Sequence, residues 1–188
     1  MPRTKEIGFQ GLTGRVFGVA VGLAAMLPAP DATAETIAPG VQDFEFGFFC
    51  ATEPLSQRPA SGTISGVVNN VDGSPRFVRL GPMVPARLGI GFGVNAQVLP
   101  QYEGPVLAVT LHPPMGPNRV TRETFDANLS SAEPSYLGFS FEHAYELVPG
   151  PWTMAAEANG RVIYSVDFLV VDPKSMPDVT CGEAVPLS

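Results

Sequence analysis

Only two imidazoles occur in the chain, His112 and His143, and they are its only candidates for a histidine base or a nitrogen metal ligand. Neither has a second ligand at helical or hairpin spacing. His143 falls on the apolar face of a strand pattern, where a core-edge histidine with backbone-satisfied nitrogens is expected. His112 stands just before Pro113-Pro114, at the mouth of a stretch of about 22 residues from Pro113 to Pro134. That position suits turn capping. It also makes His112 the better functional candidate, because Arg119, Arg122, Glu123 and Asp126 could converge with it on a small ligand or a metal ion. A loop of that length inside a compact domain is unusual and reads as either functional or disordered.

Other chemistries lack their parts. No Gly-x-Ser-x-Gly elbow presents a nucleophile, so a Ser-His-Asp hydrolase is not expected. Gly89-x-Gly91-x-Gly93 resembles a phosphate loop only superficially, since it lies in a strand pattern with no helix after it. Those glycines are expected to let another backbone or an aromatic ring approach the sheet closely. Glu142 and Glu146, read as same-face neighbours on one strand, would lie about 13 Å apart, too far for a glycosidase pair, and are expected on the solvated surface. The chain is therefore read as a non-enzyme, with no catalytic residue, no cofactor and no assigned metal.

The elements that hold these residues begin after an export signal. Arg3, Lys5 and Arg15 precede the apolar run Val16 to Leu27, which ends at Pro28, and Ala32-Thr33-Ala34 offers a small-x-small cleavage site. Twelve apolar residues would span about 18 Å as a helix, short of the roughly 30 Å of a bilayer core. A Sec-type signal cleaved near Ala34 is expected, leaving residues 35–188 as a single periplasmic or secreted domain with no stable membrane anchor. The mature part carries 8 Lys and Arg against 16 Asp and Glu, a net charge of about −8, and Lys174 is its only lysine. Such a surface repels phosphate backbones and excludes nucleic acid as a partner. The expected partner is an unidentified envelope protein or surface polymer.

Cys50 and Cys181 are the only cysteines and bracket almost the whole mature chain. In an oxidising compartment a disulfide between them is the simplest reading, with a buried thiol pair or an intermolecular bridge as the alternatives. Closing so long a loop is worth roughly 4–5 kcal/mol by chain entropy.

Apolar alternation with period two dominates. Phe44, Phe46, Phe48 and Cys50 share one face, and Leu88, Ile90, Phe92, Val94, Ala96 and Val98 another. The strand from Val106 to His112 is expected to bury Leu107, Val109 and Leu111. Weaker strands are expected over Thr63 to Val71 and Arg76 to Leu80, and a long one from Leu137 to Leu147. Pro149-Gly150-Pro151 turns the chain, and Trp152, Met154 and Ala156 then face inward. At Asn159-Gly160 a plain two-residue type I′ turn would set Trp152 opposite Asp167. A three-residue loop, Ala158-Asn159-Gly160, is preferred because it sets Trp152 opposite Val166 and Met154 opposite Tyr164. Val162, Tyr164, Val166, Phe168 and Val170 complete that inner face. Seven or eight short strands with proline and glycine punctuation give an all-β, immunoglobulin-like β-sandwich, with a small β-barrel as the alternative.

The run Phe139-Ser140-Phe141, then Glu146-Leu147-Val148-Pro149-Gly150-Pro151-Trp152-Thr153, closing with Phe168-Leu169-Val170-Val171, resembles the C-terminal part of the bacterial family called domain of unknown function 3859. Pro85-Ala86-Arg87-Leu88-Gly89-Ile90-Gly91-Phe92-Gly93 and His112-Pro113-Pro114-Met115-Gly116 are similar too. The resemblance implies an exported β-domain and brings no catalytic residues. The function expected is a non-catalytic binding or interaction module of the periplasm or envelope, with a small-ligand or metal-binding domain using residues 113–134 as the alternative.

Overall fold

The computed structural model describes residues 35–71, 73–179 and 181, all within one compact unit. The expected export signal lies outside the described residues. Twelve strands follow in order: β1 (Glu35–Ile37), β2 (Val41–Cys50), β3 (Ser56–Pro59), β4 (Val67–Asn70), β5 (Arg79–Leu80), β6 (Met83–Pro85), β7 (Ile90–Val98), β8 (Gly104–Met115), β9 (Val120–Leu129), β10 (Ser135–Ser140), β11 (Gly150–Ala158) and β12 (Arg161–Val171). Seven of them run six residues or more, which is the strand count the alternation gave. One sheet has the order β1-β12-β11-β8-β9, with β6 parallel to β12; the other has the order β10-β7-β2-β5. The sheets do not close into a barrel. The architecture is the all-β, immunoglobulin-like sandwich. No helix among the described residues is long and apolar enough to cross a membrane.

Burial decides the layers. Phe92 on β7 lies at the centre, its ring 5.2 Å from Phe168, 5.3 Å from Phe141 and 5.5 Å from Trp152, and all four rings are sealed from solvent. The opposite face of β7 is also covered. Phe49 lies over Gly91, and the backbone of β10 crosses so near Gly93 that an added Cβ would meet the Leu137 carbonyl oxygen at 2.3 Å. These glycines are therefore the close-approach positions that their pattern suggested. Gly93→Ala should destabilise the domain by about 1–3 kcal/mol through overpacking against main chain that cannot yield, measured by urea unfolding.

The hairpin at Asn159-Gly160 has a different solution from the one preferred on sequence. Ala158 pairs with Arg161, so the turn has two residues, and both have positive φ, 51° and 71°, as type I′ requires. A bulge at Ile163 then shifts the register, setting Ala156 opposite Tyr164, Met154 opposite Val166 and Trp152 opposite Phe168. Burial of the aromatic face governs the register, but the correction is made inside β12 instead of at the turn. Val162, turn-side of the bulge, is left 42% exposed.

Three further expectations are corrected. First, residues 113–134 are not a loop. They are mostly the facing ends of a β8–β9 hairpin that turns at residues 116–119, where the Arg119 N–H donates to the Gly116 carbonyl (3.2 Å). Second, β8 turns Val106, Ala108, Thr110 and His112 inward; of the three residues expected to be buried Val109 is, on the other face, Leu107 is half-buried and Leu111 is 43% exposed. Third, the strand expected to reach Leu147 leaves the sheet after Phe141. A short 3-10 turn, Ala144–Glu146, follows, leaving His143 exposed and Glu146 buried. The Glu146 carboxylate accepts N–H bonds from Glu142 (2.7 Å) and His143 (2.8 Å), which curls the chain there.

Candidate cleft between the sheet edges

On one flank no strand ladder among the described residues joins the two sheets, though the Asn69 side chain of β4 donates to Glu142 just after β10. The first sheet ends at β9 and the second at β10, and the small β3–β4 ribbon lies alongside. The three leave an open cleft of about 660 Å³, walled by residues of β4, β9 and β10. Glu123, Glu142 and Glu146 bring carboxylates to it, Asp126 lines it with its carbonyl, and Arg58 brings the one cation among its lining residues. Arg58 is already engaged, donating to the Asp126 carbonyl and lying 5.8 Å above the Phe125 ring.

Each buried carboxylate has a structural task. Glu123 lies opposite Thr110 in the β8–β9 ladder, and its Oε2 accepts the Ile64 N–H at 2.7 Å. This pins the turn between β3 and β4, which also touches β9 through the Thr124 N–H bond to the Gly62 carbonyl (2.9 Å). The Glu123 Oε1 lies 3.4 Å from His112 Nε2, and neither atom has a hydrogen bond. His112 Nδ1 is 2.9 Å from the Pro113 carbonyl, and because a carbonyl only accepts, Nδ1 carries a proton. The imidazole lies 4.9 Å from the Trp152 ring, centroid to centroid. Glu146 is held by its two N–H donors; burial pushes its carboxyl above the usual range, and those N–H bonds oppose the rise.

The family profile described as Domain of unknown function (DUF3859) matches residues 38–170. The chain belongs to this family. Among solved structures, the DUF3859 domain is similar to an immunoglobulin-like protein from Pseudomonas aeruginosa, with 20% identity and a TM-score of 0.46, over 73% of this chain and 97% of that one. No curated protein matches it. The matched span holds every strand that walls the cleft and stops short of Cys181.

Within this DUF3859 domain the five residues expected to converge are divided. His112 and Glu123 meet, and Asp126 stands on the same edge strand at the cleft. Arg119 lies exposed in the β8–β9 turn, and Arg122 is exposed on the opposite face of β9, paired with Leu111. Among the described residues no group of three or more His, Cys, Asp or Glu is placed to hold a metal ion. The sequence reading missed Arg58 and expected Glu146 on the solvated surface, whereas it is buried. Glu146 had a local signal, standing three residues after the position that starts its turn; Arg58 had none, because its partner is a main-chain carbonyl 68 residues away.

Removing the Glu123 carboxylate should loosen the ribbon. Glu123→Ala orphans the Ile64 N–H and leaves a void beside the His112 ring, and should cost about 1–3 kcal/mol. Glu123→Gln keeps an acceptor for Ile64 and should cost less. Chemical unfolding gives the difference, and amide exchange at Ile64 localises it.

Proposed function

We propose that this DUF3859 domain is a non-catalytic binding module of the bacterial periplasm or envelope, and that it takes its partner in the cleft between β4, β9 and β10. The observation that carries this reading is the cleft itself: about 660 Å³ of open, mixed polar and apolar space where no strand ladder among the described residues joins the two sheets. That volume lies within the range of ordinary binding sites. The non-catalytic part rests on how the reactive groups are used. Glu123 and Glu146 are committed to backbone N–H groups, and His112 has no side-chain surface open to a ligand. An imidazole that cannot reach a substrate cannot serve it as acid or base. The Cys50–Cys181 disulfide is compatible with an oxidising compartment, which agrees with the export signal read in the sequence.

The test is retention of envelope material on the immobilised exported protein, compared with Asn70→Trp, which fills the cleft from the exposed end of β4. Retention lost in the variant supports the reading. Equal retention by both proteins, or release of cleaved products from the retained material, overturns it.

A further inference from the structure

We infer that the cleft receives an extended, basic polypeptide segment, which adds as a strand to the free edge of β10 and sets lysine or arginine side chains against the cleft carboxylates. This rests on the binding-module reading and names its partner class.

The two sheet edges at the cleft are treated differently. The β9 edge is occupied, because the Thr124 N–H bonds to Gly62 and the Asp126 carbonyl accepts from Arg58. The β10 edge is not. Among the described residues β10 pairs only with β7. The Phe141 N–H donates to the Ile90 carbonyl (2.9 Å), and the Phe141 carbonyl accepts from the Gly89 N–H (3.0 Å). In an antiparallel ladder such residues alternate with ones whose groups point the other way. Tyr136, Gly138 and Ser140 therefore turn their N–H and carbonyl groups from β7 toward the cleft, which all three line, and among the described residues none of these groups has a protein partner.

Sheet edges left open to solvent are ordinarily blunted by lysine, proline, a bulge or a covering segment. The β10 sequence Ser-Tyr-Leu-Gly-Phe-Ser has no charge and no proline, and its pairing with β7 runs six residues without a register shift. It is a template for strand addition, with β4 and β9 walling the rest of the cleft.

Charge selects among extended chains. The cleft carries the carboxylates of Glu123, Glu142 and Glu146 against the single, engaged Arg58. Glu142 is exposed at the cleft, where one of its oxygens accepts from the Asn69 side chain of β4 and the other is open to a ligand, while Glu123 and Glu146 contribute their charge from buried positions. Potentials of this sign repel acidic chains and draw cationic ones. A neutral polysaccharide would leave both the charge and the β10 edge unanswered.

The probe is an array of octapeptides with Lys or Arg at alternate positions, read by fluorescence anisotropy against the exported protein beside their Glu counterparts and a neutral chitin oligosaccharide. The basic peptides should bind, their Glu counterparts about tenfold or more weaker, and binding should weaken with salt. Methylating alternate amide nitrogens of the best peptide should cost at least about tenfold by removing its strand hydrogen bonds. Glu142→Gln, which removes the charge but keeps an acceptor for Asn69, should weaken basic peptides and leave the melting temperature unchanged. Ser140→Pro, at an outward-facing N–H where an edge strand tolerates proline, should do the same. Undiminished binding of the methylated peptide, preference for the oligosaccharide, or no saturable binding of any basic peptide overturns the inference. If envelope material is still retained and still lost with Asn70→Trp, the binding-module reading survives that failure; if nothing is retained, both fall.

Discussion

Trp152→Ala is expected to destabilise the domain by about 3–5 kcal/mol, the range for truncating a large, fully buried aromatic residue. The ring is sealed from solvent and packs against Phe139 at 5.1 Å, Phe92 at 5.5 Å and Phe141 at 5.9 Å, so it joins the inner faces of both sheets. Its Nε1 also donates to the Val148 carbonyl (3.1 Å), fixing the corner that leads into β11. Trp152→Phe keeps much of the buried area but orphans that carbonyl, and should fall between the alanine variant and the parent. Urea unfolding with unchanged m measures the loss. A second readout connects the core to the cleft. Trp152 forms one wall around His112, which abuts Glu123, which holds the Ile64 amide. Ile64 exchange should therefore accelerate in Trp152→Ala under conditions where β7 remains protected. If Ile64 accelerates only in step with global unfolding, the core does not position the ribbon.

Where apolar residues alternate cleanly along the sequence, they predict the structure. β7, β11 and most of β12 carry the expected faces, because each has one apolar residue in two and neighbours that demand it. The failures in β8, β9 and β10 share one cause, polar side chains that fold inward, whereas the β11–β12 turn was misread because the register is corrected by a bulge. Thr110, His112 and Glu123 are buried, so β8 reads with the wrong parity and β9 reads as a loop. Glu146 ends the β10 pattern by bonding to backbone, although the apolar alternation continues past it. His112 and Glu123 were legible as candidates from residue type alone, but for a site on a flexible loop. Their actual setting is a paired ladder, in which the same residues hold the frame of a cleft. The open edge of β10 was not legible at all. An edge is a relation between strands, and nothing in Ser-Tyr-Leu-Gly-Phe-Ser says which side stays unpaired.

Removal of the Cys50–Cys181 disulfide should have an effect of similar size but different origin. The bond joins the end of β2 to a tail beyond β12, across 131 residues. The chain-entropy account assigns about 4–5 kcal/mol to a loop of that length, acting through the unfolded state. The folded state should change little, since the tail has other anchors. Met176 and Val179 are buried against the core, and Arg87 Nη1 donates to the Val179 carbonyl (2.6 Å). Cys50→Ala with Cys181→Ala should therefore remain folded, at a midpoint denaturant concentration far below the parent, and thiol reductant should bring the parent to the same place. The variant's m should not fall, because its unfolded chain is free to expose more surface than the cross-linked one. The cleft is walled by β4, β9 and β10 and contains neither cysteine, so partner retention at low denaturant should persist in the folded variant. Retention lost while the fold persists would mean that the disulfide positions the cleft as well as stabilising the domain.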